Sequence, residues 1–81
     1  MTLEVLLFGP HARAAGRDRV SLSLPGSATP ASILAQIGGD HPSLGPLLAG
    51  ARIAVNARFV AEDTLVGEGD ELALVGLVGG G

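Results

Sequence analysis

The 81-residue sequence contains no cysteine, lysine, tryptophan or tyrosine. Without cysteine, the chain forms no disulfide, holds no iron–sulfur cluster or thiolate zinc site, and offers no cysteine nucleophile. Without lysine, all five positive charges are arginines, and the formal net charge is −3. This balance does not supply the basic stripe of a nucleic-acid-binding protein, so we expect no nucleic-acid partner. It suits a partner with a basic surface, or serves solubility alone.

Long hydrophobic runs are also missing. A transmembrane helix needs about 20 consecutive apolar residues, and no segment approaches that length. The start of the chain, Met1 to Glu4, carries an acidic residue where a secretory signal carries basic ones. We therefore expect no membrane association and a cytoplasmic location.

What is present is enough apolar sequence, 47% of the residues, to build one small core. Apolar and polar residues alternate as they do in strands with one buried face. In the first such segment Leu3, Val5 and Leu7 share one face, and Phe8 falls on the other. The predicted strands are 2–8, 19–24, 52–55, 58–60 and 71–75.

Helical signals occur between the strands. Thr29 and Pro30 have the pattern of an N-cap followed by a first helical residue. Apolar residues at helical spacing follow, and Gly38-Gly39 predicts the end of the helix. His11–Ala15 predicts a shorter turn closed by Gly16, and residues 40–50 predict a loop with at most one irregular turn.

The order of these elements predicts a two-layer α+β domain with one main helix on one face of a mixed sheet. The first and last strands pair in parallel at the centre of the sheet, with the helix in the crossover between them. This is the β-grasp, or ubiquitin-like, fold. We expect a β-grasp domain over residues 1–75 and a flexible glycine tail over residues 76–81.

The C-terminal run Gly79-Gly80-Gly81 is the main candidate for chemistry. Glycines have no side chains and can thread a narrow channel, and the tail from residue 76 spans on the order of 20 Å when extended. Its tip carries a carboxylate that a partner can activate. A glycine-rich end is also a common form of idle, disordered terminus. The functional interpretation is favoured because these glycines follow the last predicted strand of a β-grasp domain so closely.

Several segments together resemble the small subunit of molybdopterin synthase, a MoaD-type sulfur carrier. The similarity covers the whole chain and rests most on the turn at residues 67–71 and the terminal Gly80-Gly81. Weaker support comes from four other segments, which are Val5–Phe8, Arg13 with Gly16–Asp18, the strand to Pro25, and Ala54–Asn56.

The resemblance implies that a partner related to ubiquitin-activating enzymes adenylates Gly81 with ATP and Mg²⁺. Sulfur then replaces one carboxylate oxygen to give a thiocarboxylate. The tail, including Gly79 and Gly80, enters the large synthase subunit and donates sulfur to cyclic pyranopterin monophosphate. The chain then binds no cofactor of its own, and the large subunit supplies the catalytic residues of this sulfurtransferase.

The resemblance also assigns Phe8, Phe59 and Val75 to an apolar surface that binds the large subunit. Burial in the core is the ordinary interpretation of phenylalanine, but Phe8 lies off the apolar face of its strand. The chain departs from the family pattern at Ala12 and Arg13, where an Arg-Glu pair is common, and at Gly76-Leu77, where proline is common.

Other interpretations remain open from the sequence alone. The chain is a sulfur carrier for thiamine or another thiolated product, a protein modifier that conjugates to lysines, or an interaction module. Thiamine carriers often lack a segment equivalent to 11–18, which favours the molybdopterin assignment. His11 and His41 lie 30 positions apart without ligand-like spacing, so we expect no metal site.

Overall fold

Five strands form one mixed sheet in the computed structural model of the chain, which describes residues 1–76. The strands are β1 (Thr2–Leu6), β2 (Arg19–Ser23), β3 (Arg52–Val55), β4 (Arg58–Phe59) and β5 (Leu72–Val75). Their order is β2-β1-β5-β3-β4, with β1 and β5 parallel and the other neighbours antiparallel. The predicted α+β arrangement, with the first and last strands paired at the centre, is confirmed.

Two α-helices and one 3₁₀ helix connect the strands. The short helix α1 (Gly9–Ala15) joins β1 to β2 and ends at Gly16, whose φ of 72° is the left-handed conformation that glycine adopts readily. It begins two residues before the predicted turn. The main helix α2 (Pro30–Asp40) and the 3₁₀ helix (Pro42–Leu47) lie between β2 and β3. None of the helices described in residues 1–76 is long and apolar enough to cross a membrane.

The start of α2 is as predicted, and its end is not. The Thr29 hydroxyl accepts a hydrogen bond from the Ser32 amide at 3.2 Å, and the Ser32 hydroxyl accepts one from the Thr29 amide at 2.9 Å. This capping box satisfies two free amides of the first turn. The predicted end at Gly38-Gly39 is wrong, because neither glycine takes a positive φ and the helix continues to Asp40.

Close packing explains the first of these glycines. A Cβ at Gly38 would lie 3.3 Å from Leu48 Cδ1, so the missing side chain brings α2 close to the segment that follows the 3₁₀ helix. That segment is also more regular than the predicted loop over 40–50. Leu44, in the middle of the 3₁₀ helix, is completely buried and holds this segment against the core.

The core lies between α2 and one face of the sheet, which we call the inner face. The largest fully buried side chains come from the sheet, α2 and the 3₁₀ helix, and they are Val5, Val20, Leu22, Ile33, Ile37, Leu44, Leu72 and Leu74. On the opposite face of the sheet, Glu4, Ser21 and Ser23 are exposed.

Two turns at one end of the sheet are tied together by Asn56. Asn56 and Ala57 have φ values of 52° and 65°, which a two-residue hairpin turn between β3 and β4 requires. The Asn56 side chain donates to Asp70 Oδ1 at 3.0 Å and accepts from the Glu71 amide at 2.9 Å. The start of β5 is thereby attached to the β3–β4 hairpin.

We predict that Asp70→Asn destabilises the protein in a pH-dependent way. Hydrogen bonds from the Gly67 amide and then from the Asn56 side chain lower the pKa of Asp70 from its ordinary value of 3.8. A carboxylate whose pKa is lowered by folding stabilises the fold above its unfolded pKa, and this stability is lost as pH falls through the folded pKa. Urea unfolding should therefore show the variant to be less stable near neutral pH, with the difference vanishing in acid.

The matched control is Glu68→Gln in the same turn, an exposed carboxylate for which residues 1–76 provide no hydrogen-bond partner. It should leave stability nearly unchanged at every pH. Equal pH profiles for the two variants would contradict a role of the Asp70 hydrogen bonds.

Candidate functional site

The parallel pairing of β1 and β5 brings two chain segments to the same end of the sheet. Because the strands run in the same direction, the segment after Leu6 and the segment after Val75 leave the sheet side by side. Phe8 and the start of α1 therefore lie near Gly76, the last described residue. We call this the tail end of the domain. The predicted site residues Gly79, Gly80 and Gly81 lie outside the described residues.

The uncovered side of the sheet, which we call the open face, carries an apolar row. Residues that pair across neighbouring strands point to the same face. Leu6 pairs with Ala73, Ala73 with Ala54, and Ala54 with Phe59, so four strands contribute one apolar residue each. Phe59 is 51% exposed at the end of this row. An exposed apolar surface of this kind often marks an interface.

The three residues predicted to contact a partner all reach the surface. Phe8 is 57% exposed, Phe59 is 51% exposed, and Val75 is partly exposed. Phe8 and Val75 line one groove. Phe59 lies beyond Arg52, which pairs with Val75 and places its guanidinium 4.8 Å from the centre of the Phe59 ring. Their role in binding a partner stays a prediction.

The groove at the tail end has a volume of about 420 Å³ and mostly apolar walls. Its walls come from the β1–α1 connection, the 3₁₀ helix and the end of β5, and its lining residues are Phe8, Gly9, Pro10, His11, Leu47, Leu74, Val75 and Gly76. The last of these is the residue from which the tail continues. Gly76, the last described residue, therefore lies at the edge of an apolar groove.

His11 lines the groove next to Gly76. Its side chain is only 5% exposed, and it is the single buried polar residue among residues 1–76. Its Nε2 lies 3.1 Å from the Leu47 carbonyl oxygen and donates a hydrogen bond to it in the tautomer protonated at that nitrogen. This bond connects α1 to the 3₁₀ helix, so the ring has a fixed position beside the end of β5.

Gly76 approaches the His11 ring so closely that no side chain fits between them. A Cβ at Gly76 would lie 2.8 Å from His11 Cε1, a distance that real Cβ atoms essentially never show. Sequence reasoning missed this contact because it joins residues 65 positions apart. The only signal was a glycine directly after an alternating strand, where the resembling family often has proline.

Arg52 on the open face and Asp70 in the turn before β5 have structural partners. Arg52 donates to the Val60 carbonyl at 3.3 Å, and Asp70 accepts the turn bonds described above. Within residues 1–76, no group of three histidine, aspartate or glutamate side chains is placed to hold a metal ion.

We predict that Gly76→Ala destabilises the protein by about 1–3 kcal/mol, the range for forced overpacking. In a His11→Ala background the added methyl group has space, so the same substitution should cost much less. Urea unfolding of the four proteins gives the coupling energy between the two positions. Gly26→Ala is the control, since nothing lies within 4 Å of that position. Additive effects of the two substitutions would contradict the contact.

Solved structures with similar folds agree with this description. A crystal structure of SAMP1 from Haloferax volcanii aligns over all of both chains with a TM-score of 0.85 and 29% identity. A putative molybdopterin converting factor subunit 1 from Pyrococcus furiosus covers 96% of this chain and 99% of its own, with a TM-score of 0.83 and 23% identity.

A third structure is a complex. One chain of a protein–protein complex of subunits 1 and 2 of the molybdopterin-converting factor from Helicobacter pylori aligns with this chain over the whole length of each, with a TM-score of 0.67 and 26% identity. The fold predicted from the sequence is confirmed by these neighbours. The comparison with protein families matches residues 5–81 to the ThiS family. The chain belongs to the ThiS family, and it is a ubiquitin-like sulfur carrier or modifier of the ThiS/MoaD type.

Proposed function

We propose that this chain is the sulfur-carrying small subunit of a molybdopterin synthase. The observation that carries the proposal is the geometry of the tail end, where β5 ends beside the exposed Phe8 and the open face. If the domain binds a partner through this face, residues 77–81 are delivered to the same partner. The match to one chain of the Helicobacter pylori complex of subunits 1 and 2 supports this assignment.

The tail acts through the carboxylate of Gly81. A free carboxylate is a poor electrophile. The activating partner uses ATP and Mg²⁺ to give its acyl carbon a good leaving group. A carboxylate oxygen attacks the α-phosphorus of ATP, and pyrophosphate leaves. Hydrosulfide from a sulfur donor then attacks the acyl carbon and loses its proton, and AMP departs with the oxygen. The product is a thiocarboxylate at Gly81.

The second half of the cycle takes place in the large subunit. The loaded tail, including Gly79 and Gly80, enters that subunit, and the thiocarboxylate sulfur is transferred to cyclic pyranopterin monophosphate. The bond from sulfur to the Gly81 acyl carbon is then broken by water, and the carboxylate is restored. In this proposal the acid, base and substrate-binding groups come from the large subunit, and this chain contributes docking and sulfur.

The helix α1 supports molybdopterin rather than thiamine as the product. Carriers for thiamine often lack the segment that corresponds to residues 11–18, and here that segment has a structural function. It contains His11, whose ring packs against Gly76 and whose Nε2 reaches the Leu47 carbonyl. Without α1, the groove beside Gly76 would lose one of its sides.

A second candidate function is protein modification. The similarity to SAMP1 of Haloferax volcanii, at 29% identity over the whole chain, favours it, because a second structure of that protein is described as a small archaeal modifier protein. As a modifier, the activated Gly81 would form an amide with a lysine of another protein. This chain has no lysine of its own, so adducts would never be chains of itself linked through lysine side chains.

Intact mass spectrometry separates the two candidates. We predict that the chain, co-produced with its activating enzyme and a sulfur source, gains the mass difference between sulfur and oxygen. Gly81→Ala should fold normally and load poorly, because the activating enzyme must accept the terminal residue in a narrow channel. Gly26→Ala, which changes an exposed glycine in the body, should load as the parent does.

The outcomes have separate meanings. Loading followed by dithiolene formation on addition of a large subunit supports the molybdopterin assignment. Adducts with other proteins and no sulfur transfer would replace it with the modifier function. Normal loading of Gly81→Ala with sulfur would contradict the requirement for glycine at the terminal position.

A further inference from the structure

Alternation along β5 assigns position 76 to the inner face of the sheet, although its residue has no side chain. Leu72 and Leu74 are buried on that face, and the alternate residues lie on the other. A Cβ added at Gly76 would lie within 3.7 Å of three atoms of the His11 ring. The His11 ring therefore occupies the place that a core side chain at position 76 would take.

Gly76 lies beyond the hydrogen-bonded part of the sheet. Arg52 and Val75 are the last residues paired between β3 and β5, and Gly76 forms no backbone hydrogen bond with another residue of the described chain. Its φ is outside the left-handed region, so alanine could adopt the same conformation. The close contact with His11 is thus what distinguishes this position. It is also the contact that restrains the backbone where the pairing has ended.

The His11 ring is itself fixed from two sides. Its backbone amide donates to the Phe8 carbonyl at 3.1 Å in the first turn of α1, and its Nε2 lies 3.1 Å from the Leu47 carbonyl oxygen. Leu47 ends the 3₁₀ helix, whose Leu44 is completely buried. Buried polar groups with satisfied hydrogen bonds make their surroundings rigid. The ring therefore gives Gly76 a rigid surface on the inner side.

We propose that His11 is a positioning residue for the tail. It fixes the backbone of Gly76, from which residues 77–81 continue, and thereby lowers the KM of the activating enzyme for this chain. This inference rests on the proposed function, in which a partner adenylates Gly81. Ordering a free backbone residue on binding has an entropic cost, and a residue that is already fixed avoids it. His11 takes no part in the adenylation step itself, so kcat should not depend on it.

The first measurement concerns the free chain and needs no partner. Backbone amide relaxation by NMR should give Gly76 an order parameter of about 0.85 in the parent and below about 0.6 in His11→Ala. The Val5 amide, in the centre of the sheet, should keep its value in both. His11→Gln retains a side-chain N–H for the Leu47 carbonyl, so it should preserve more of the Gly76 order than alanine does.

The second measurement uses the activating enzyme of the same organism. Pyrophosphate release at increasing concentrations of each full-length chain gives KM and kcat. His11→Ala should raise KM roughly 5- to 30-fold, the effect of freeing one backbone residue, and should leave kcat within about two-fold of the parent. Val20→Ala is the matched control, because it truncates a fully buried side chain in β2, which β1 separates from β5. It should change neither constant at a temperature where it remains folded.

A double variant separates positioning from a loss of stability. Alanine has less backbone freedom than glycine, and in the His11→Ala background its methyl group has the space that the ring occupied. Gly76→Ala should therefore restore part of the order at position 76 and lower KM in that background. In the parent, the same substitution is harmful because the ring is present.

The outcomes distinguish this inference from the proposed function. An unchanged Gly76 order parameter in His11→Ala overturns the positioning role, whether or not the chain is adenylated. A reduced order parameter with an unchanged KM overturns the inference as well, and so does an equal rise of KM in Val20→Ala. A parent that is never adenylated overturns the proposed function and with it the effect on KM, while the order parameters still decide whether His11 fixes Gly76.

Discussion

The parallel pairing of β1 with β5 is the constraint on which the rest of this structure depends. Val5 pairs with Leu72, and Leu6 with Ala73, in the centre of the sheet. Parallel neighbours require a long crossover, and here α2 and the 3₁₀ helix lie within it and cover the inner face. The same pairing leaves the open face without a helix and sends the chain out beside Phe8. The position of Gly76 beside Phe8 and the open face thus have one structural cause.

The two edges of the sheet are protected in different ways. On β2 the residues that face outward, Ser21 and Ser23, are polar and exposed, and on the other edge β4 has only two residues. Short or polar edges discourage pairing with other chains. The two exposed phenylalanines, Phe59 at the end of the apolar row and Phe8 at the tail end, lie away from Ser21 and Ser23, and Leu65 is exposed in the loop between β4 and β5. The exposure of Phe8 and Phe59 in this region is what the predicted interface requires.

The local features of the fold and the pairing of its first and last strands could be predicted from the sequence, but individual long-range side-chain contacts could not. The burial of Leu7 and exposure of Phe8 follow from alternation along one strand, and the start of α2 follows from Thr29 and Pro30. Gly38 wrongly predicts a helix end, because what favours glycine there is its close approach to the Leu48 side chain, ten positions further along the chain. The contact of His11 with Gly76 could not be predicted for the same reason, because the spacing of residues along the chain carries no information about it.

Amide hydrogen exchange on the full chain tests most directly whether the domain holds β5, and with it Gly76, in a fixed position. Strand β5 lies between β1 and β3, so the amides of Leu72 to Val75 are in the centre of the hydrogen-bonded sheet. These amides should exchange only through global unfolding, with the same free energy and denaturant dependence as Val5 and Leu22. Exchange of β5 through a low-energy local opening, while β1 and β2 remain protected, would contradict a fixed exit at Gly76.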